Sequence, residues 1–126
     1  MIEANGDVFA IYDPDCDYEQ RPRQGWATIV NSDFNDTASD LHRRGVFRLN
    51  IGLPKPRYEE LFGPDVEHDT TVLDVVMPHP VYGGYHWVCV LNPETTWPDV
   101  RQFLDDAHAF AARKHDNAVR RREQRA

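Results

Sequence analysis

Two stretches of the chain concentrate the side chains best suited to chemistry, "VFRLNIG" (46–52) and "PHPVYGGYHW" (78–87). If the first stretch is a strand, Arg48 and Asn50 project from the same face. The second stretch supplies rings, which are His79, Tyr82, Tyr85, His86 and Trp87. A guanidinium binds carboxylate or phosphate through its planar fork, and aromatic walls suit a flat organic body. We therefore predict that these side chains line one pocket at the end of a sheet.

The predicted ligand is a small anionic or aromatic molecule, with a protein partner as another occupant of the same surface. A simpler interpretation of the strand stays open, in which Arg48, Asn50 and Thr28 lie on the solvent side of an antiparallel sheet. Within the ring-rich region, "WVCVLNP" has the character of a core strand. The segment "PHPVYGGYH" is the functional half, because its prolines make a rigid turn and Gly83–Gly84 a hinge.

The acidic stretch "DPDCDYE" begins like a calcium-binding loop. Asp13, Asp15 and Asp17 alternate as the first ligands of such a loop do, but the loop also needs Gly at its sixth position and Glu at its twelfth. Those positions hold Tyr18 and Gln24. We predict a solvated acidic turn there, with no calcium site.

The histidines and potential nucleophiles do not form a recognisable catalytic or metal-binding motif. His79 and His86 are separated by more residues than an HxxxH pair, and no CxxC motif occurs. Cys89 lies in an apolar run, where a thiol is normally inert, and no G-x-S-x-G occurs. We therefore expect no metal and no cofactor. The alternative function is an enzyme of unassigned class that uses His79 or His86 as its acid or base.

Charge is unevenly distributed along the chain. The net charge is −7, but residues 113–126 hold six Lys/Arg and two Asp/Glu, which leaves eight basic and nineteen acidic residues before them. The tail is therefore +4 and the body −11. Because affinity for nucleic acid comes from neutralising phosphates, we predict no specific binding of duplex DNA. Binding of nucleic acid through the basic tail is a less favoured alternative to the basic end of a helix.

Length and composition favour one domain over residues 1–126. The chain lacks any run of about 20 apolar residues, and its first residues lack a signal-peptide pattern. A cytoplasmic protein is the resulting expectation. Cys16 and Cys89 lie in unlike surroundings, acidic and apolar, so both are predicted to be free thiols.

Three strand patterns precede the first helical pattern. They cover Asp7–Asp13, Trp26–Val30 and Val46–Gly52, and the polar connection 31–45 is expected to be long and exposed. Three strands without an intervening helical period predict an antiparallel meander.

The second half of the chain predicts two helices around a further strand. "PKPRYEELFG" (54–63) has proline at its start and Gly63 to end it, so it predicts a short helix. "DTTVLDVVM" is ambiguous and could form one helical turn. "YHWVCVL" (85–91) is apolar on both faces and should lie inside the sheet. A long helix follows Thr96, which with Asp99 resembles a capping box. Its apolar stripe is Val100, Phe103, Leu104, Ala107, Phe110 and Ala111. The predicted class is α+β, in the order β-β-β-α-β-α, with a basic helical tail over 113–126.

The segments "GVFRLNIG", "LFG" and "PHPVYG…WVCVLNP…AH" resemble an uncharacterised family of small bacterial domains, found mostly in actinobacteria, with MmcQ/YjbR-like architecture. The resemblance covers roughly residues 5–115. It implies a leading helix, a three-strand meander, a helix, more strand and a closing helix, and it implies no particular activity. In this sequence the first predicted strand begins near Asp7, so the leading helix is absent.

The missing helix bears on assembly. Without it, a sheet face carrying Phe9, Ile11, Phe47, Leu49 and Ile51 would be exposed, and soluble monomers rarely tolerate such a patch. We predict a homodimer in which each chain covers the other. Two alternatives stay open: a monomer whose closing helix covers the sheet, or a native start upstream of Met1 that supplies the helix.

Overall fold

A computed structural model describes residues 1–63 and 67–125, and within them the chain forms one six-stranded sheet, two α-helices and a short 3-10 helix. The sheet order is β1-β2-β3-β4-β6-β5, and every paired neighbour is antiparallel. The predicted α+β class is confirmed. The elements are β1 Ile2–Ala4, β2 Asp7–Ala10, β3 Ala27–Val30, β4 Arg48–Gly52, α1 Lys55–Leu61, β5 Met77–Pro78, the 3-10 helix Gly83–Tyr85, β6 Trp87–Leu91 and α2 Trp97–Arg125.

The sheet begins earlier in the chain than the sequence analysis placed it. β1 pairs with β2 as a hairpin, with Ile2 opposite Phe9 and Ala4 opposite Asp7. Its two-residue turn is Asn5-Gly6, and both residues have positive φ, at 54° and 81°. That conformation matches the twist of a tight hairpin, and Asn-Gly is the pair that adopts it most readily.

The first face of the sheet packs against α2. Leu49 and Ile51 of β4 join Val88 and Val90 of β6 in one buried cluster with Val100, Phe103 and Ala107 of the helix. The first part of the predicted stripe, Val100, Phe103, Leu104 and Ala107, is therefore the packing face of α2, whereas Phe110 and Ala111 line grooves beyond the core. Leu49 and Ile51 are 7% and 0% exposed, so α2 covers them within one chain. Phe9 was expected on the same face, but it lies on the opposite one, because it pairs with Thr28, which pairs with Asn50. Phe9, Ile11 and Phe47 are half-buried.

The second face is covered by the connection 31–45, which was expected to be exposed. Leu41 of this segment packs against Val30 and Leu91, and Ser39 is fully buried. The connection is held in turn by the segment between α1 and β5, since the Thr70 hydroxyl donates to the carbonyl oxygen of Ala38 at 2.6 Å. A polar sequence therefore serves as a cover, because Leu41 points inwards while polar groups of the connection bond to one another; Phe34 of the same connection is exposed.

The ambiguous segment before residue 78 forms no helix: it has a turn at Thr70 and Thr71, a left-handed backbone at Asp74, and extended pairing on either side of Asp74. Leu73 bridges to Leu91, and Met77–Pro78 pairs with β6 as the edge strand β5. Valines favour extended backbone, and proline is tolerated at a sheet edge, where its missing N–H costs no ladder bond. With β5 on one side and β4 on the other, β6 lies inside the sheet as predicted.

Both helices start near their predicted positions, but their ends are made differently. α1 follows Pro54 and ends with the Phe62 N–H donating to the carbonyl of Tyr58, so Gly63 is not its cap. At the start of α2, Thr96 donates its hydroxyl to Asp74 at 2.6 Å. The carboxylate of Asp74 also accepts the backbone N–H groups of Glu94, Thr95 and Thr96. A residue distant in sequence therefore caps this turn, where the sequence had predicted Asp99 as the partner of Thr96.

The basic tail continues α2 to Arg125, and residue 126 lies outside the described residues. Within residues 1–63 and 67–125, neither α-helix is both long enough and apolar enough to cross a bilayer.

Candidate ligand-binding grooves

A groove of about 530 Å³ lies where one end of the sheet meets α2, and we name it the aromatic groove. Its rings come from three places in the chain, and two lysines accompany them. The ring and lysine side chains lining it are Trp26, Tyr82, Tyr85, His86, Trp87, Phe110, Lys55 and Lys114. Four of the seven side chains predicted to bind ligand thus lie together here, and His79, Arg48 and Asn50 lie elsewhere.

Gly52 shapes the wall of the aromatic groove. It is the last residue of β4 and pairs with Trp87, the first residue of β6. A Cβ atom at Gly52 would lie 2.8 Å from the indole ring of Trp87, closer than two such atoms approach. The absence of a side chain therefore allows the indole to lie across the strand, an arrangement in which an aromatic ring covers a glycine on the neighbouring strand.

The tyrosines are presented by the turn between β5 and β6. Tyr82 precedes the 3-10 helix and Tyr85 ends it, and they are 52% and 76% exposed. The turn closes at His86, which has a φ of 70° and donates its N–H to the carbonyl of Gly83. Large exposed rings beside a groove are uncommon on a surface that serves only to face water.

The positive charge of the groove comes from Lys114 and Lys55. The ammonium of Lys114 lies 4.3 Å from the centre of the Phe110 ring, within cation–π range. Lys114 is exposed as a whole, but partial desolvation beside the protein surface lowers its pKa. No hydrogen-bond or salt-bridge partner of its ammonium occurs among residues 1–63 and 67–125. Lys55 has only a long contact of 3.8 Å with the exposed Glu59.

Arg48 and Asn50 belong to a buried polar cluster on the second face of the sheet. Arg48 is 2% exposed, and its guanidinium binds both carboxylate oxygens of Asp36 at 2.8 and 2.9 Å. It also donates to Ser39 and to the side-chain oxygen of Asn50, while Asn50 donates to Thr28 at 3.3 Å. A buried charge needs partners, and the connection 31–45 supplies them. The structure thus places Arg48 neither in a ligand pocket nor on a solvent-facing sheet.

The buried side chain of His79 stabilises the turn that carries Tyr82 and Tyr85. It is 3% exposed, and its Nδ1 accepts the N–H groups of Val81 and Tyr82, each at 3.0 Å. The proton of the neutral ring is therefore on Nε2, which is buried and has no partner among the described residues. Burial, aided by the charge of Arg48, lowers the pKa of His79 to about 4. The ring is accordingly neutral at pH 7.

A second groove, of about 620 Å³, lies on the other side of the turn. It is lined by His79 and His86 together with Tyr58, Phe62 and His68. Among residues 1–63 and 67–125, no three His, Cys, Asp or Glu side chains are grouped as a metal site.

The other predicted features have clear placements. Asp13 and Asp17 of the acidic turn both bind the guanidinium of Arg23. Both cysteines are free: Cys16 is exposed, and burial raises the pKa of the Cys89 thiol to about 12. Such a thiol is a poor nucleophile.

Sequence reasoning missed Trp26, Gly52, Phe110 and Lys114 as parts of the groove. Phe110 had been assigned to the packing stripe and Lys114 to the tail. Their spacing of four residues does place them on one helix face, and a glycine at a strand end can mark a close aromatic neighbour. What the sequence lacks is the pairing of Gly52 with Trp87, which depends on the register between β4 and β6.

The sequence profile of DUF6194, which is described as a family of unknown function, matches residues 1–122. No curated protein and no solved structure is detectably similar to the chain. The match spans the sheet, α1, all but the last three residues of α2 and every residue that lines the aromatic groove. This chain therefore belongs to the DUF6194 family of unknown function.

Proposed function

We propose that this protein binds a small, planar, negatively charged organic molecule in the aromatic groove. The observation that carries the proposal is the convergence of six rings and two lysines on one groove, which no carboxylate among the described residues lines. This composition is notable in a chain whose net charge is −7. An acidic protein that keeps one aromatic groove free of carboxylates has a surface suited to an anion.

The size and chemistry of the groove agree with such a ligand. Its volume of about 530 Å³ falls within the range of small-molecule sites, roughly 300–1,000 Å³. The indoles of Trp26 and Trp87 provide flat apolar surface for a ring system, with favourable offset or edge-to-face contacts. Lys114 provides charge beside them without a competing carboxylate.

The test is isothermal titration with two matched probes, 2-naphthoate and the neutral 2-naphthamide. We expect naphthoate to bind more tightly, because only naphthoate carries the charge that Lys114 attracts. In Lys114→Met, naphthoate binding should weaken about tenfold, or about 1.4 kcal/mol, while naphthamide binding stays unchanged. Arg121→Met is the matched control, because Arg121 is an exposed cation of α2 that lines no described groove.

Two results would contradict the proposal. The first is absence of naphthoate binding at millimolar concentration. The second is equal weakening in Lys114→Met and Arg121→Met, which would mean that only the overall charge matters. A Gly52→Ala variant adds an independent check, since the added methyl group must displace the Trp87 ring and should weaken both probes.

No specific observation favours the alternative functions. His79 as an acid or base has one nitrogen occupied by two backbone donors and the other buried, and its low pKa leaves it neutral. His86 lines both grooves and stays a candidate contact for ligand. Five further points remain predictions: a protein partner at the same surface, a YjbR-like architecture, an actinobacterial origin, a cytoplasmic location and the absence of specific duplex DNA binding.

A further inference from the structure

A third groove, of about 320 Å³, adjoins the aromatic groove along α2, and we name it the cationic groove. The two grooves share Gln24, Gly25, Trp26 and Lys114, so they lie side by side along α2. Its basic lining residues are Arg21, Arg23, Lys114, His115 and Arg122, and no carboxylate among the described residues lines it.

Three of these basic side chains already have carboxylate partners. Arg23 binds Asp13 and Asp17, Arg21 lies 3.5 Å from Asp17, and the ring of His115 lies 3.1 Å from Asp15. The carboxylates of the acidic turn therefore fix the positions of Arg21, Arg23 and His115 on this side of the groove.

Lys114 and Arg122 differ from the other three. Neither has a hydrogen-bond or ion-pair partner in the part of the chain that the structure describes, and Arg122 is half-buried. They lie eight residues apart on α2, a rise of roughly 12 Å, with Ala118 between them on the groove side. Alanine leaves space there. Long side chains at both ends of that space can approach one anionic group.

We propose that the cationic groove binds a phosphate group carried by the same ligand whose ring occupies the aromatic groove. This inference rests on the proposed function. The ligand class is a planar ring system linked to a phosphate, as in a nucleotide or a phosphorylated flavin. Arginine suits phosphate because its planar fork donates two parallel hydrogen bonds, and Lys114, which lines both grooves, stands at the junction of ring and phosphate.

The experiment compares two pairs of probes by isothermal titration, adenosine with AMP and riboflavin with FMN. In each pair the ring is constant and only the phosphate is added. We expect the phosphorylated member of at least one pair to bind about tenfold more tightly or better. Which pair shows the advantage separates a purine base from a flavin as the ring.

Variants then locate the phosphate. Arg122→Gln should remove most of the phosphate advantage and leave the affinity for the unphosphorylated member unchanged. Arg121→Gln, one residue earlier on the exposed side of α2, should change neither. If the advantage survives in Arg122→Gln and disappears only in Lys114→Met, the phosphate lies in the aromatic groove and the proposal is overturned.

The remaining outcomes separate this inference from the proposed function. Equal affinity within both pairs overturns the phosphate site, while ring binding stands. Binding of 2-naphthoate without binding of any of the four probes also overturns the phosphate site and leaves the proposed function intact. Failure of naphthoate and of all four probes overturns both proposals together.

Discussion

Arg48 shows how the surroundings of one residue decide its role. A guanidinium on a strand face was predicted to meet a ligand, but Asp36 and Ser39 reach it from the covering connection and leave it 2% exposed. Hydrogen bonds from Arg48 lower the pKa of Asp36, as expected for a carboxylate held by a cation.

Replacement of Arg48 should therefore reduce stability. In Arg48→Ala, Asp36 and Asn50 lose a partner, and the free energy of unfolding should fall by roughly 3 kcal/mol, the cost of leaving one member of a buried pair. Urea unfolding followed by circular dichroism measures it. The double variant Arg48→Ala/Asp36→Ala should lose less than the sum of the two single changes. Additive losses would show that the pair is not coupled.

His79 leads to a prediction about pH. Its pKa is about 4 in the folded protein, below the ordinary 6.5, so the unfolded chain binds its proton more readily. The contribution of neutral His79 to the free energy of unfolding is therefore complete above pH 6.5 and decreases as the pH falls towards 4. Below pH 4, this residue causes no further change with pH. The total loss is of the order of 3 kcal/mol. His79→Asn keeps an acceptor for the N–H groups of Val81 and Tyr82, and should flatten this part of the profile. An unchanged profile in that variant would contradict the assignment.

At the scale of elements, the start of α2 depends on Asp74. Its φ of 58° is left-handed, and its carboxylate accepts hydrogen bonds from three consecutive residues at the helix start. Hydrogen bonds from Thr95 and Thr96 hold the pKa of Asp74 well below its ordinary 3.8. Its stabilising effect is thus present above pH 3.8 and is lost as the pH falls further.

Asp74→Asn tests this cap, because asparagine tolerates the left-handed backbone but lacks the charge. We expect a lower thermal midpoint than wild type at pH 7. The difference between the two proteins should shrink as the pH is lowered below 3.8, where the wild-type carboxylate becomes protonated. A difference that stays constant with pH would mean that the charge of Asp74 contributes nothing to the cap.

Elements with strong periodicity could be predicted from the sequence. The stripe of α2, the alternation in β4 and the apolar run of β6 each place a helix or strand correctly. β1 was missed although Asn5-Gly6 marks a hairpin, because only three residues precede that turn in the strand.

Part of the candidate site could be predicted from the sequence, because the rings of residues 82–87 are concentrated in one short segment. Lys114 and Trp26 join them only through tertiary packing, and nothing local shows that Asp36 would bury Arg48.

At the scale of the whole molecule, the coverage of the sheet bears on assembly. The homodimer was predicted from a bare face, and α2 covers Leu49 and Ile51 on that face. We therefore expect a monomer. Light scattering at micromolar concentration should give a mass near 14.6 kDa. Twice that mass would show that another surface, such as the unpaired edge of β1, joins two chains.

Ligand binding in the aromatic groove is the central claim, and the tryptophans report it directly. Trp26 and Trp87 line the groove, whereas Trp97 stands at the start of α2 and lines no described groove. The measurement is a nitrogen-15 NMR titration of the three indole N–H signals with 2-naphthoate, each signal assigned by a Trp→Phe variant. We predict that the Trp26 and Trp87 signals move along one saturating curve while the Trp97 signal stays in place. Saturable movement of Trp97 alone, or no movement of any signal, would contradict the claim.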